Sequence, residues 1–170
     1  FKDLPIENGV ARMVTAAGVK IMVRGHSTVE VTCTGEFNGN VLKRGKVIVS
    51  DGNWMEGTFK DGLEVGTFTY YYSDGTVRMK NTFLVDGKYC SHEAYDKNGK
   101  LMAKGFYNQK NRDSIWNIYN AEGKLLKSET YKMGTKTGKS VLFSTNGDTI
   151  EIQYWNDNKK HGRWYRKVLN

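Results

Sequence analysis

The chain has 170 residues, 26 Lys and Arg against 18 Asp and Glu, a net charge of +8, 38% hydrophobic residues, 19 Gly, one Pro and two Cys. That size and balance allow one or two domains with a modest core and exclude a large enzyme or a low-complexity disordered tract. No stretch approaches the roughly 18 uncharged apolar residues of a helical membrane span. The chain opens at Phe1 without an initiator Met, so an upstream segment removed by processing or cloning is expected. If that segment was a signal, the address is secreted, periplasmic or cell-envelope; the cysteine count is equally compatible with a cytoplasmic one. Cys33 and Cys90 stand 57 residues apart with no CxxC, and His occurs only at 26, 92 and 161. This argues against zinc, redox catalysis or a disulfide framework, and two buried free thiols are expected.

In chain order, residues 1–28 predict an N-terminal β cap. Val10 to Thr15 and Val19 to Val23 read as strands around the turn Ala16-Ala17-Gly18, and a cap is needed because an open sheet end templates pairing. From residue 29 onward an internal repeat governs the pattern. Turn glycines Gly52, Gly75, Gly99, Gly123 and Gly147 recur every 23 or 24 residues, a period that marks a repeat architecture. Aromatic columns keep step through Phe59, Phe83, Tyr107, Tyr131 and Trp155, and through Tyr71, Tyr95, Tyr119 and Phe143. Gly66, Cys90, Ser114, Gly138 and Gly162 form a small-residue column, suited to close backbone approach or a sharp bend. The units read as 29–53, 54–79, 80–103, 104–127, 128–151 and a partial 152–170, one continuous domain.

Each unit reads as two short strands. Asp51-Gly52, Asp74-Gly75, Asn98-Gly99, Glu122-Gly123 and Asn146-Gly147 are the expected tight turns, with longer connections on the other edge at Lys60 to Val65, Asn108 to Asp113 and Lys132 to Thr137. The expected fold is all-β: a single, elongated, curved antiparallel meander of successive β-hairpins of about 24 residues.

The unit Gly66-Thr67-Phe68-Thr69-Tyr70-Tyr71-Tyr72-Ser73-Asp74-Gly75, with sister copies running from Lys97 to Tyr107 and from Ala121 to Tyr131, resembles the MORN-repeat proteins, most closely their bacterial variant. The resemblance covers residues 54–165 well and 29–53 loosely. It implies successive hairpins in one curved sheet and a scaffold role in protein association, some members lying near membranes and some bacterial ones being labelled antitoxin-like. It carries no catalytic residues. The chain departs from the pattern at Cys90 and Ser114, and at Asn81, Glu129 and Gln153 in the column of Gly57 and Gly105.

No convergent base, nucleophile or metal set is legible, and neither GxGxxG nor GxxxxGK[ST] follows a strand. Asp96-Lys97-Asn98-Gly99 lacks the later ligands of a calcium loop and reads as a turn. The expectation is a non-enzymatic chain without catalytic residues, metal or cofactor. The candidate binding residues are of two kinds. Phe68, His92, Trp116 and Trp164, with Tyr70 and Ile118 beside them, line one sheet face, as core filling or as an aromatic docking face. Lys136, Lys139, Lys159, Lys160 and Arg163, with Lys110, Arg112 and Lys132, predict a basic strip along the longer connections, or ordinary solvated charge. A protein partner or self-association is the first expectation. An anionic membrane surface or a glycan is the alternative, and nucleic acid is disfavoured because no recognised module is present.

Overall fold

The computed structural model describes residues 19–23, 27–38, 41–49, 52–60, 63–84 and 89–167. It is all-β, an open antiparallel meander of hairpins whose strands follow one another in chain order. The chain divides into two compact units, residues 1–77 and 78–170, and each is taken by itself.

In the first unit β1 (Val19–Val23), β2 (Ser27–Asn38), β3 (Val41–Val49), β4 (Trp54–Lys60) and β5 (Leu63–Tyr71) pair in sequence. β1 pairs forward onto β2, so among the described residues Val19–Val23 is the first strand of the meander. The expected cap strand Val10 to Thr15 and its turn at 16–18 lie outside the described residues. Among its described residues, Leu42, Val47 and Phe68 are the buried apolar side chains. Gly35 and Gly45 pair across β2 and β3 at φ near +150°, each where a Cβ would strike the other strand's backbone.

The second unit holds β6 (Val77–Phe83) almost entirely, then β7 (Tyr89–Tyr95), β8 (Leu101–Asn108), β9 (Asn111–Tyr119), β10 (Leu125–Lys132), β11 (Thr135–Phe143), β12 (Thr149–Asn156), β13 (Lys159–Lys160) and β14 (Tyr165–Arg166). β13 and β14 both pair with β12. Aromatic and β-branched residues at alternate positions favour these strands, since side chains of period two line one face.

The two kinds of turn are the reverse of the sequence expectation. β8 to β9, β10 to β11 and β12 to β13 join through two residues only: Gln109-Lys110, Met133-Gly134 and Asp157-Asn158, all with positive φ between 48° and 85°. Two successive left-handed residues make the mirror-image turn whose twist suits a hairpin. The glycines at 75, 99, 123 and 147 sit in five-residue loops at 72–76, 96–100, 120–124 and 144–148. There the first residue's amide donates to the fifth residue's carbonyl and the glycine amide to the first carbonyl. Asp96 Oδ1 accepts from the amides of Asn98 and Lys100, and Asn120 Oδ1 from those of Glu122 and Lys124, so the side chain of the leading residue shapes the loop. Asp96 is thereby a turn former.

Three positions of the small-residue column are β-bulges. Gly66, Ser114 and Gly138 have φ of 66°, 59° and 63°, and the strand register slips opposite each of them. Cys90, a buried thiol, occupies the same column, but β6 and β7 pair there without a slip. The side chain of Cys33 is outside those described.

One contact type organises packing. An added Cβ on Gly57 would stand 2.6 Å from the Phe68 ring, and one on Gly105 would stand 2.4 Å from the Trp116 ring. Each ring lies flat across the glycine of the preceding strand, as aromatics do when they cover backbone that a glycine leaves bare. Gly105→Ala is therefore expected to cost about 1–3 kcal/mol by overpacking. In a Trp116→Leu background the same change should cost less than about 1 kcal/mol, because the pair is coupled. Denaturant unfolding of the four proteins of that cycle checks it.

Candidate functional site

The structure separates the two groups of candidate residues. In the second unit, direct cross-strand pairing joins Asn81 to His92, His92 to Gly105, Trp116 to Glu129, Glu129 to Ser140 and Ser140 to Gln153. With Trp116 lying over Gly105, these residues form one row across seven strands, and from His92 to Ser140 the row is buried. The expected aromatic docking face is corrected here. Phe68 is 0% exposed and Trp116 2%, and His92 is buried, because the rings lie along the sheet and do not stand out from it.

Trp116 is enclosed by Tyr107 edge-on at 4.9 Å between ring centres, by His92 at 5.5 Å and by the Arg112 guanidinium at 4.6 Å; its Nε1–H donates to the Phe106 carbonyl at 3.0 Å. Phe68, in the first unit, meets Phe59 edge-on at 4.9 Å. Tyr70 is half-buried with its hydroxyl toward Glu64, and Ile118 is half-buried between Ala103 and Lys127. These residues are packing.

The titratable groups in the row serve it. His92 Nδ1 lies 2.7 Å from Asn81 Oδ1, an acceptor, so the ring proton sits on Nδ1. Burial first, and Arg112 second, hold the His92 pKa below its ordinary value. Glu129 Oε1 accepts from the ammonium groups of Lys127 and Lys136, both at 2.7 Å, and its Oε2 accepts from the Tyr131 hydroxyl at 2.9 Å. Burial of this carboxyl raises its pKa, but the three donors outweigh that and bring it down to about 2. Asp113, lowered chiefly by the Tyr89 hydroxyl, also accepts from the Met133 amide at 2.9 Å. With the Gly134 amide on the Arg112 carbonyl and the Asn158 amide on the Lys136 carbonyl, the short turns are stitched to neighbouring strands.

The basic strip divides accordingly. Lys136 is not a free loop cation: it is half-buried, paired with Glu129, and lies 3.9 Å from the Trp155 ring centre. Arg112 is occupied by Trp116 and Tyr131. Lys139, Lys159, Lys160 and Arg163 are exposed and, among the described residues, have no carboxylate within ion-pair distance.

Trp164 is the one member of the aromatic set that is open, at 58% exposure, with the Lys160 ammonium 5.3 Å from its ring centre. Tyr165 beside it is 51% exposed and pairs with Ile152; Tyr154, also exposed, pairs with Lys139. The sequence reads Trp164, Tyr165, Arg166 and Lys167 as an end mixing aromatics with charge, protected by charge or by a partner, but does not single out Tyr154; the alternation of Tyr154 with Trp155 and of Trp164 with Tyr165 places aromatics on both faces of the last repeat. The open side chains of the last repeat thus fall on its two faces, Trp164 near Lys160 on one, and Tyr154 and Tyr165, with Lys139 paired to Tyr154, on the other. Neither a protein-family model nor a curated protein matches the chain.

Acid stability follows from the row. His92 is lowered from 6.5, so the unfolded state binds its proton first and stability begins to fall below about pH 6.5. Glu129, lowered from 4.5 to about 2, contributes stability above pH 4.5 that is lost as pH falls through that interval. Urea midpoints measured from pH 7 to pH 2 are expected to show both declines. Glu129→Gln should be less stable at pH 7 and lose the lower decline.

Proposed function

We propose that the chain is a non-catalytic β-hairpin repeat module of the bacterial MORN-like kind, acting as an interaction scaffold that docks a protein partner on its last repeat. The observation that carries the reading is the exposure of Trp164 and Tyr165 in a repeat whose Lys159, Lys160 and Arg163 have, among the described residues, no carboxylate within ion-pair distance. Open aromatic rings supply contact area and a polar tip, and unpaired cations supply steering toward an acidic surface. The hairpin meander and its period of 24 residues support the MORN-like assignment. The non-catalytic reading is supported by where the titratable side chains go: His92, Asp113 and Glu129 are each committed to internal partners.

The test is capture by the immobilised chain from fractions of its source cells, at low and moderate salt, beside a Trp164→Ala/Tyr165→Ala variant. One protein should be retained saturably by the parent and weakened at least about tenfold by the variant, the size expected for losing aromatic anchors. The variant should unfold at nearly the parent's midpoint, since both side chains are open. Retention of anionic lipid or polysaccharide alone would assign the surface to a peripheral binder instead.

A further inference from the structure

We propose that the outer edge of residues 159–166 accepts an antiparallel β-strand from a partner protein, seated as β10 sits on β9 and bringing an aromatic residue opposite Gly162 and over the Lys160 ammonium. This rests on the docking reading above and names how the partner is held.

The edge repeats β9. Lys160, Gly162 and Trp164 stand 48 residues after Arg112, Ser114 and Trp116, and Gly162 and Ser114 both have positive φ, 71° and 59°. Lys160 and Tyr165 pair with Trp155 and Ile152 as Arg112 and Asn117 pair with Tyr107 and Lys104. The inner register is therefore that of β9 on β8. On its outer side β9 carries β10, whereas β13 and β14 pair with β12 and, among the described residues, with no other strand. A strand edge whose amides and carbonyls are unpaired is a template for another strand.

The inner repeats indicate what that strand carries. Tyr107 stands opposite Cys90, Tyr131 opposite Ser114 and Trp155 opposite Gly138, so each small residue is faced by a ring on the following strand. Those rings also cover cations: Tyr131 has the Arg112 guanidinium 5.6 Å from its centre, and Trp155 has the Lys136 ammonium at 3.9 Å. Gly162 and Lys160 continue both series. The space that a Cβ on Gly162 would take is open. The rings near Lys160, Trp164 at 5.3 Å and Trp155 at 6.0 Å, belong to its own segment and to the preceding strand. A ring on an added strand completes the series by the same cation–π contact.

Charge selects a partner over the same edge of a second copy. Pairing this edge with itself would set Lys159, Lys160, Arg163 and Arg166 against one another, and like charges directly opposite destabilise a ladder. In β10 the residue opposite Trp116 is Glu129, and a carboxylate at that place in an added strand complements these cations, which among the described residues have no carboxylate within ion-pair distance. The occupant is accordingly an extended strand with a carboxylate two positions before an aromatic, the spacing of Glu129 and Tyr131.

The probe is a synthetic peptide with the chain's own sequence Leu125–Lys132, added to the full chain and followed by amide hydrogen exchange and by mass in solution. Exchange across residues 159–166 should slow at least about tenfold at saturating peptide, in a one-to-one complex, while that of Val19–Val23 stays unchanged. A peptide carrying Tyr131→Ala should bind about tenfold more weakly, the scale of losing a ring from a desolvated cation. In a chain carrying Lys160→Gln the same peptide change should cost less than about threefold, because ring and cation are coupled. A scrambled peptide should leave the exchange as it was.

If Trp164→Ala/Tyr165→Ala weakens capture of a partner while the peptide leaves exchange at residues 159–166 unchanged, strand addition is overturned and the docking reading stands. If the scrambled peptide protects those residues equally, or Tyr131→Ala costs as much with Lys160→Gln as without, the β10-like register is overturned. A chain that dimerises alone, with slow exchange at residues 159–166 that quickens on dilution, would overturn the proposal in favour of a second copy. Should neither peptide nor captured protein bind, both readings fall.

Discussion

A sheet without a second layer must bury apolar area sideways, and the ring laid flat over a neighbouring glycine is how this chain does it. Trp116 across Gly105 and Phe68 across Gly57 each remove both an aromatic face and a stretch of bare backbone from water. The arrangement works only if the position below the ring has no side chain. Residues 11 apart in sequence are consequently linked in volume. Gly57 goes with Phe68 and Gly105 with Trp116, whereas Asn81 goes with the smaller His92 and Glu129 with Ser140. Where the lower residue grows, the upper one shrinks, as close packing requires.

That exchange decides the polar chemistry. Putting a carboxylate in the row at Glu129 buries a charge, which is tolerable only when its oxygens are occupied. Lys127, Lys136 and Tyr131 are drawn inward to do so. Lys136 is thereby removed from the cations that a partner could meet. Putting Asn81 in the row gives His92 an amide oxygen, and the buried imidazole stays neutral. The departures from a glycine-and-aromatic pattern are solutions to one packing problem, each with its own hydrogen bonds.

Much of this was legible in the sequence. The 24-residue period gave the strand order and the antiparallel meander, and the small-residue column marked the bulges at Gly66, Ser114 and Gly138. The turns were assigned to the wrong edge. Asn-Gly and Asp-Gly are strong two-residue turn signals, yet here the side chains of Asp96 and Asn120 widen the loop by taking two amides each, while Gln109-Lys110 adopts the left-handed pair without a glycine. The aromatic face was misjudged for a related reason. Alternation tells which face a side chain leaves from, but not whether it stands up or lies down, and that depends on a glycine 11 residues earlier. The columns of Gly57 and Phe68 were each visible; their complementarity appears only when they are read as pairs.

The last repeat is where the exchange of volumes is not kept. Gln153 occupies the glycine position with a full side chain, its amide turned to Glu151 at 2.7 Å, while Trp164, the residue 11 further on, remains large. The pairing of Tyr165 with Ile152 sets Trp164 beside Gln153, so the ring has no bare backbone to lie across and stands open. β13 and β14, two residues each, add little cover, and their lysine and arginine side chains discourage another sheet from pairing at that edge. The rule that buries Trp116 therefore exposes Trp164. The exposed ring and the Lys160 cation coincide because Gln153 stands where inner repeats supply either a glycine, as Gly105 does for Trp116, or a carboxylate, as Glu129 does for Lys136.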